Sequence, residues 1–384
     1  MNAINIADLR DAARARLPNA VFDYLEGTAD DGVTGRDNIA AFSEVVLAPR
    51  QAVMCEPDLS TSLLGAGLAM PVFLSPIGYC RLLHRHGDLG AARAAAAAGL
   101  PFIQATGSGF SMEQVAEQGG TLFFQVYQMG GRAAAERALT RARRLGFKGI
   151  FVTIDTPVSG NREKDPRNGM KALMGRKLLP KLPYVPEVLA HPRWLIPFLL
   201  DGGVPAMPNV VGEDGRPLPA PDVERALAGA NICWEDLSWI RKAWNGPIVV
   251  KGIMRADDAR RALDEGADGI VVSNHGGRQL DCVAGTLRVL PGIAEAVKGR
   301  ATVLIDGGIR RGGDIVKALC LGADAVLVGR AYGYGLAAAG EAGVAQALTI
   351  LKTDMLRTMK LLGAQSVAEL GPDFVRLRDG FRVD

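Results

Sequence analysis

Eight short apolar runs, each rich in β-branched or aromatic residues, alternate with Ala/Arg/Glu-rich stretches of helical periodicity, and this alternation constrains the chain more than any other feature. The runs are PVFLSPIG (71–78), PFIQATG (101–107), LFFQVY (122–127), GIFVTID (149–155), PIVVKGI (247–253), GIVVSNH (269–275), TVLIDGG (302–308) and AVLVGR (325–330). Between them, GDLGAARAAAAAG, GRAAAERALTRARRLG, RADDARRALDEG and GGDIVKALCLG each end at a glycine able to take the left-handed C′ conformation. A doubly wound open sheet of eight parallel strands would be unusually wide, so the pattern predicts an α/β chain closed as a (β/α)8 TIM barrel.

The spacing is regular except between the fourth and fifth runs, where residues 156–246 hold a Pro-rich, poorly periodic excursion. A structureless loop of that length is uncommon in a compact domain unless it is functional or mobile, and in a barrel it leaves from the face where active sites lie. The reading is one domain over 1–384: an N-terminal helical cap (1–70), the barrel (71–340), a lid or insertion (156–231), and a C-terminal helix and tail (341–384).

Composition narrows the function. A net charge of +3 with interspersed signs gives no field that would make nucleic acid an obligatory partner. The five cysteines are scattered and form no CxxC, so no metal site or disulfide framework is written; they read as small buried residues of a reducing compartment. Charged residues at positions 8, 10 and 11 argue against a signal peptide, and WLIPFLL (194–200) is too short to span a membrane. The expected location is cytoplasmic.

In a barrel, polar residues at the C-terminal strand ends face the active site. Here those ends read Gln125 and Tyr127, Thr153 and Asp155, Lys251, Ser273 with Asn274 and His275, Asp306 with Gly307 and Gly308, and Gly329 with Arg330. Gly307-Gly308-Ile309-Arg310 and Gly329-Arg330 fall after the seventh and eighth strands, where glycine amides, a helix N-terminus and arginine can build a phosphate site; the bland reading is two ordinary left-handed turns. The GYGLAA stretch at 333–338 fits a loose GxGxxA pattern but lacks the acidic residue that should follow, and reads as helix packing. His275 opens SNHGGRQLD, which can set a general base beside the cationic fork of Arg278. Lys251 either snorkels or serves a buried anion, and Asp155 is either a helix cap or the residue that orients the base.

SNHGGRQLD followed by LIDGGIRRGGDIVKAL resembles the FMN-dependent L-2-hydroxy-acid oxidising enzymes, a family that includes glycolate oxidase, L-lactate dehydrogenase and (S)-mandelate dehydrogenase, and the resemblance spans the chain. It implies FMN as cofactor, His275 as the base, Asp155 stabilising its protonated form, and Arg278 with Arg162 holding the substrate carboxylate. Tyr127 would bond the substrate oxygen and Tyr24 would close over the carboxylate. Lys251 would sit at the N1/O2 edge of the flavin, with Ser75, Pro76, Ile77, Gly78, Thr106, Gln125, Thr153 and Ser273 around the ring and ribityl chain. Asp306, Gly307, Gly308, Arg310, Gly329 and Arg330 would hold the ribityl and phosphate end. Family members are commonly tetramers, so a homo-oligomer is implied.

Departures from the family refine these expectations. Gly78 resembles the dehydrogenase branch, which passes electrons to a quinone or another acceptor; the alternative is an oxidase that makes hydrogen peroxide from oxygen. Ala105 stands where many members have serine, with Thr106 next to it as a substitute, and Gly107 replaces a bulky aromatic, which should widen the pocket towards an aryl side chain without excluding lactate. Between 171 and 200 the insertion carries Lys171, Arg176, Lys177, Lys181 and Arg193 against Glu187 alone, and its HPRW resembles membrane-associated members. That segment is either a peripheral membrane contact on the inner face of the cell membrane or a solvated lid. FFQVYQMGGR and RAYGYGLAAAGEAGV also resemble flavoenzymes of mycofactocin-type cofactor maturation, against which Tyr24 and Arg278 argue because both serve a free carboxylate. A purely binding scaffold would leave the base and the lysine without a role.

Overall fold

A computed structural model of the protein describes residues 2–175, 177, 179–211, 216–218, 222–223, 226 and 230–381; Arg176 of the basic segment lies outside them. Eight parallel strands close into a barrel in chain order. They are β1 (Val72–Leu74), β2 (Phe102–Gln104), β3 (Leu122–Val126), β4 (Gly149–Thr153), β5 (Ile248–Ile253), β6 (Gly269–Val272), β7 (Thr302–Ile305) and β8 (Ala325–Val328). Each falls inside its expected run, and all but β5, which reaches Ile253, stop short of the run's C-terminal end. Asp155, His275, Asp306 and Arg330 lie past the ladder at the barrel mouth, as catalytic strand ends do, whereas Gln125, Thr153 and Lys251 still pair within it.

Inside the barrel, Phe73, Phe123 and Phe151 meet edge to face, with ring centroids 5.6, 6.2 and 5.7 Å apart. Such aromatic pairs add about 0.5–1.5 kcal/mol each beyond their burial. Ala66 and Leu68, from the hairpin Thr61–Leu63/Ala66–Leu68, pack on this layer. The chain between the N-terminal helices and the barrel is therefore not helical: the strand Val45–Leu47 pairs antiparallel with Val375–Leu377 of the tail, joining the two ends of the chain.

The cap itself consists of α1 (Ile6–Arg16), α2 (Asn19–Glu26) and α3 (Val33–Glu44). Asp281 accepts from the amides of Val33 and Thr34 at 3.1 and 2.8 Å, supplying the first turn of α3 with the anion its dipole favours. Asn38 and Asn274 exchange amide hydrogen bonds at 2.9 Å, which fastens α3 to the residue before His275. The long helix Arg330–Leu362 breaks at Ala339 and Gly340. A Cβ on Gly335 would lie 2.2 Å from the Gly343 carbonyl oxygen, so the GYGLAA stretch is indeed a packing motif.

The excursion after β4 is not structureless. It contains the short helices Lys164–Arg167, Met170–Met174 and Val185–Leu189, the helix Pro192–Leu200, and a hairpin of Met207–Val211 with Pro217–Leu218. Asp236–Ala243 then returns as the regular helix before β5. Of the cysteines, Cys80 and Cys320 are buried, but Cys233 and Cys282 are exposed, which corrects the expectation of five buried thiols.

Candidate active site

The barrel mouth opens on a cavity of about 800 Å³. His275 sits on its wall with φ +57°, a left-handed conformation a non-glycine residue rarely adopts and one that clusters at functional sites. The fold holds it there. The His275 amide donates to Ser273 Oγ at 3.2 Å, and the Gly277 amide donates to Asn274 Oδ1 at 3.1 Å. Its Nδ1 lies 3.0 and 3.2 Å from the two carboxylate oxygens of Asp155, leaving Nε2 for the cavity. Asp155 lies behind the histidine rather than in the cavity wall. Burial would push its carboxyl up, but the charges of His275 and Lys251 outweigh that and hold it below the usual range. Gln279 donates its side-chain amide to the Asp155 and Val158 carbonyls at 3.2 and 2.9 Å and fixes the loop after β4.

Arg278 and Arg162 face the same cavity. Arg278 Nη1 donates to the Tyr24 and Gly27 carbonyls at 2.8 and 2.9 Å, so among the described residues its Nε and Nη2 form a free edge with the geometry that takes a carboxylate bidentately. Burial and then the charge of Arg162 push the Arg278 guanidinium down to about 9. Two close cations in a buried wall are a standing demand for an anion. Arg162 is steadied by Asp165 at 3.5 Å.

Tyr24 packs under Arg278, with the guanidinium 5.2 Å from the ring centroid, and its hydroxyl donates to the Gly78 carbonyl at 3.1 Å. A carboxylate reaching Tyr24 must therefore replace that bond. Burial raises both tyrosines, against the nearby arginines for Tyr24 and with the charge of Asp155 for Tyr127, so both remain phenols that can donate.

Lys251 is 3% exposed and reaches Ser273 Oγ at 2.7 Å and Asp306 Oδ2 at 2.9 Å, leaving one of its three N–H groups. Burial alone would lower the ammonium, but Asp306 and Asp155 more than offset it, so the charge is kept. Of the two readings of this lysine, service to a buried anion is the one the geometry fits.

Gln125 and Thr153 bond each other at 3.1 Å on the cavity floor. Thr106 does not line the cavity; its hydroxyl donates to the Gln125 carbonyl at 2.6 Å, so it does not stand in for the serine that Ala105 replaces. Ser273 is likewise fully buried beneath Lys251 and His275. Ser75, Pro76, Ile77 and Gly78 line the wall at the end of β1.

At the other end, Gly307, Gly308, Arg310, Gly329 and Arg330 converge on the cavity. Gly308 has φ +80°, and a Cβ there would lie 1.8 Å from the Asn38 carbonyl oxygen, so only glycine fits. Arg330 donates from Nε, Nη1 and Nη2 to the carbonyls of Leu25, Gly276 and Gly27 at 3.1, 2.9 and 2.7 Å. Three of its five donors thus tie the cap to the His275 loop, and two remain for a phosphate. Asp306 Oδ1 is buried without a partner among the described residues, which suits a ribityl hydroxyl. A buried cation, an orphaned acceptor and a glycine-lined helix start in one cavity are the donor set FMN requires.

The sequence did not reveal the roof. Met129, Met170, Met174 and Val223 line the cavity from the insertion and the loop after β3, and nothing in their spacing announces it. Below them, a Cβ on Gly78 would meet only Tyr24 Oη at 3.4 Å and the Gly107 oxygen at 3.6 Å, so the two glycines leave the floor open beside that roof.

Residues 13–377 match the FMN-dependent dehydrogenase family. An L-lactate dehydrogenase of Xanthomonas euvesicatoria pv. vesicatoria (strain 85-10) is 44% identical over 377 residues, covering 96% of this chain and 95% of that one. An L-lactate dehydrogenase of Yersinia pestis (strain Pestoides F) is 42% identical over 373 residues, covering 95% and 96%. Among solved structures, the monotopic membrane protein (S)-mandelate dehydrogenase superposes with a TM-score of 0.91 at 39% identity, covering 98% of this chain and all of that one. A mandelate oxidase superposes with a TM-score of 0.83 at 35% identity over 98% and 99%.

Proposed function

The chain belongs to the FMN-dependent dehydrogenase family and is an FMN-dependent oxidoreductase of L-2-hydroxy acids, and from that premise we propose which residues carry the reaction, which substrates fit and where the electrons go. The observation that carries the assignment is the His275–Asp155 pair facing the free edge of Arg278 across one cavity.

Arg278, assisted by Arg162, binds the substrate carboxylate and so fixes the neighbouring carbon and its hydroxyl in front of His275. His275 Nε2 accepts a proton from the substrate, and Asp155 stabilises the resulting imidazolium. Tyr127 donates to the substrate oxygen, and Tyr24 exchanges its bond to Gly78 for the carboxylate. FMN, when bound, supplies the two-electron acceptor that turns the hydroxy acid into the 2-oxo acid. Ser75 to Gly78, Gln125, Thr153 and Lys251 would hold its ring. The buried charge of Lys251 favours an anionic partner at that edge, Asp306 would take a ribityl hydroxyl, and Gly307, Gly308, Arg310, Gly329 and Arg330 would hold the phosphate.

The methionine roof and the bare Gly78/Gly107 floor support a substrate with an apolar side chain, from the methyl of lactate to the ring of mandelate. Methionine adapts to irregular apolar shapes, and Met129, Met170, Met174 and Val223 together give the roof an apolar character. Gly78 supports a quinone as acceptor over oxygen.

No helix among the described residues is long and apolar enough to cross a membrane. The insertion nevertheless exposes Leu179, Leu182, Leu189, Ile196, Leu199 and Leu200, by 57–82% each, beside Lys177, Lys181 and Arg193. Such a surface supports peripheral attachment, which would bring the cavity close to a membrane quinone.

Anaerobic flavin bleaching with L-lactate, glycolate and (S)-mandelate, followed by reoxidation with air or a quinone analogue, tests substrate and acceptor in one preparation. Bleaching by lactate or mandelate and faster reoxidation by quinone are expected. Failure of every L-2-hydroxy acid to bleach the flavin would refute the substrate class, and rapid peroxide formation in air would replace the dehydrogenase reading with the oxidase one. Flotation with lipid vesicles, compared with a Leu199→Glu/Leu200→Glu variant, tests attachment.

A further inference from the structure

Arg162 reaches the carboxylate pocket from the insertion, whereas Arg278 comes from the barrel and Tyr24 from the cap. Its place is therefore decided by how residues 160–168 are fastened. That segment starts pressed against the backbone at Arg278. The Gly160 amide donates to Gln279 Oε1 at 3.2 Å, and a Cβ on Gly160 would lie 2.2 Å from the Arg278 carbonyl oxygen. Only glycine lets the two arginine-bearing segments run this close.

From there the segment is tied to the cap at two points that bracket Arg162. Before it, Asn161 donates its side-chain amide to Asp30 Oδ1 at 2.7 Å, and the Asp30 amide donates to the Asn161 carbonyl at 2.9 Å. Asp30 takes φ +42°, and the neighbouring Ala29 amide donates to the Gly277 carbonyl at 2.8 Å, so this point is itself fixed to the His275 loop. After it, Asn168 donates its side-chain amide to one oxygen of Asp23, and Lys164 Nζ lies 3.7 Å from the other.

Asp23 immediately precedes Tyr24 on α2 and is 7% exposed. Carboxylates are rarely so buried unless they are paired, and the packing of α2 gives no reason for one here. Its side-chain partners among the described residues, Asn168 and Lys164, both belong to the insertion.

We propose that Asp23 and Asp30 are positioning residues of the substrate-carboxylate pocket: by clasping residues 160–168 to the cap, they set Arg162 into the same pocket as Arg278 and Tyr24. This rests on the role given to Arg162 above. The benefit is preorganisation. An unfastened segment would have to be ordered by the substrate itself, and that cost falls on binding. His275 and Asp155 are held by other contacts, so the chemical step keeps its geometry.

Steady-state kinetics of the holoenzyme with L-lactate or (S)-mandelate and a soluble acceptor tests the clasp, with flavin absorbance and thermal melting as checks on folding. Arg162→Gln should raise KM about tenfold or more. Asn168→Ala and Asp23→Ala should each raise KM about fivefold to tenfold while kcat stays within about threefold of wild type. Asn168→Ala alone carries this comparison if Asp23→Ala fails to retain flavin. Asp30→Gly keeps the positive φ without strain but loses a solvent-exposed bond, and should raise KM about threefold. Asp23→Asn keeps an oxygen for the Asn168 amide and should recover KM to within about twofold of wild type, since the exposed lysine contact contributes little. In the double variant Asn168→Ala/Arg162→Gln, losing the clasp should add less than about twofold to the effect of Arg162→Gln, because the segment then has no arginine to place.

An unchanged KM in Arg162→Gln would overturn the role of Arg162 and the clasp together. A raised KM there with unchanged KM in Asn168→Ala and Asp23→Ala would overturn the clasp alone. Fully additive losses in the double variant, or a Asp23→Asn variant as impaired as Asp23→Ala, would overturn it as well.

Discussion

Replacing Asp155 by asparagine isolates the electrostatic part of the base from its geometry. The carboxylate lies 3.0 Å from His275 Nδ1 and its side chain is 13% exposed, so little solvent screens the pair. At that separation and an effective dielectric of about 20, a full charge pair is worth roughly 5 kcal/mol. An asparagine oxygen still accepts the Nδ1–H bond and returns part of that, leaving about 3–4 kcal/mol lost only once the imidazole carries the substrate proton. Because the loss falls on the transition state, kcat should drop a hundredfold to a thousandfold. KM should stay within about threefold, since Asp155 does not line the cavity and Gln279 holds its loop through backbone carbonyls. Anaerobic stopped-flow reduction of the flavin, followed over a range of L-lactate or (S)-mandelate concentrations, measures both constants. A fall in kcat of less than tenfold, or a rise in KM at unchanged kcat, would refute the role given to this pair.

Arg278→Lys removes the bidentate edge and should raise KM by about thirtyfold or more, roughly 2 kcal/mol, with a smaller loss of kcat; steady-state kinetics on the same substrates checks the split. Gly308→Ala must accommodate a Cβ 1.8 Å from the Asn38 carbonyl oxygen at φ +80°, so it should destabilise the fold by more than about 3 kcal/mol or abolish flavin retention, seen by thermal melting and absorbance. Asp88 is 1% exposed, and burial raises its carboxyl to about 7 against the nearby Ser108 hydroxyl and Gly109 amide. A folded value above the unfolded one makes its contribution complete below about pH 4 and lost as the pH rises through 7, because the native state holds the extra proton in that window. The loss is on the order of 4 kcal/mol, so Asp88→Asn should melt higher than wild type at pH 8 and show a flatter dependence of Tm between pH 4 and 7.

Much of the site was legible because a parallel barrel forces its chemistry to strand ends. Lys251, His275, Asp306 and Arg330 could be read directly once the runs were counted, since a polar residue closing an apolar run has no packing reason to be there. Residues whose role depends on a partner far along the chain were less readable. Thr106 looked available to the flavin, yet its hydroxyl bonds the Gln125 carbonyl of the neighbouring strand. Arg330 looked like a plain phosphate ligand, yet most of its donors fasten the cap to the His275 loop. The methionine roof was hidden because the insertion has neither a period of 2 nor one of 3.6 to signal which side faces in.

What the amino-acid order determined on its own is the barrel and its polar mouth, because alternating periodicity and strand-end polarity are local properties of the chain; the reaction class was implied by the resemblance that SNHGGRQLD and LIDGGIRRGGDIVKAL carry. What only the tertiary structure decided is which donors and acceptors remain free among the described residues: the open edge of Arg278, the single spare N–H of Lys251 and the orphaned oxygen of Asp306. A donor's availability depends on every group folded against it, and those groups come from segments that are distant in sequence and adjacent only after the barrel closes.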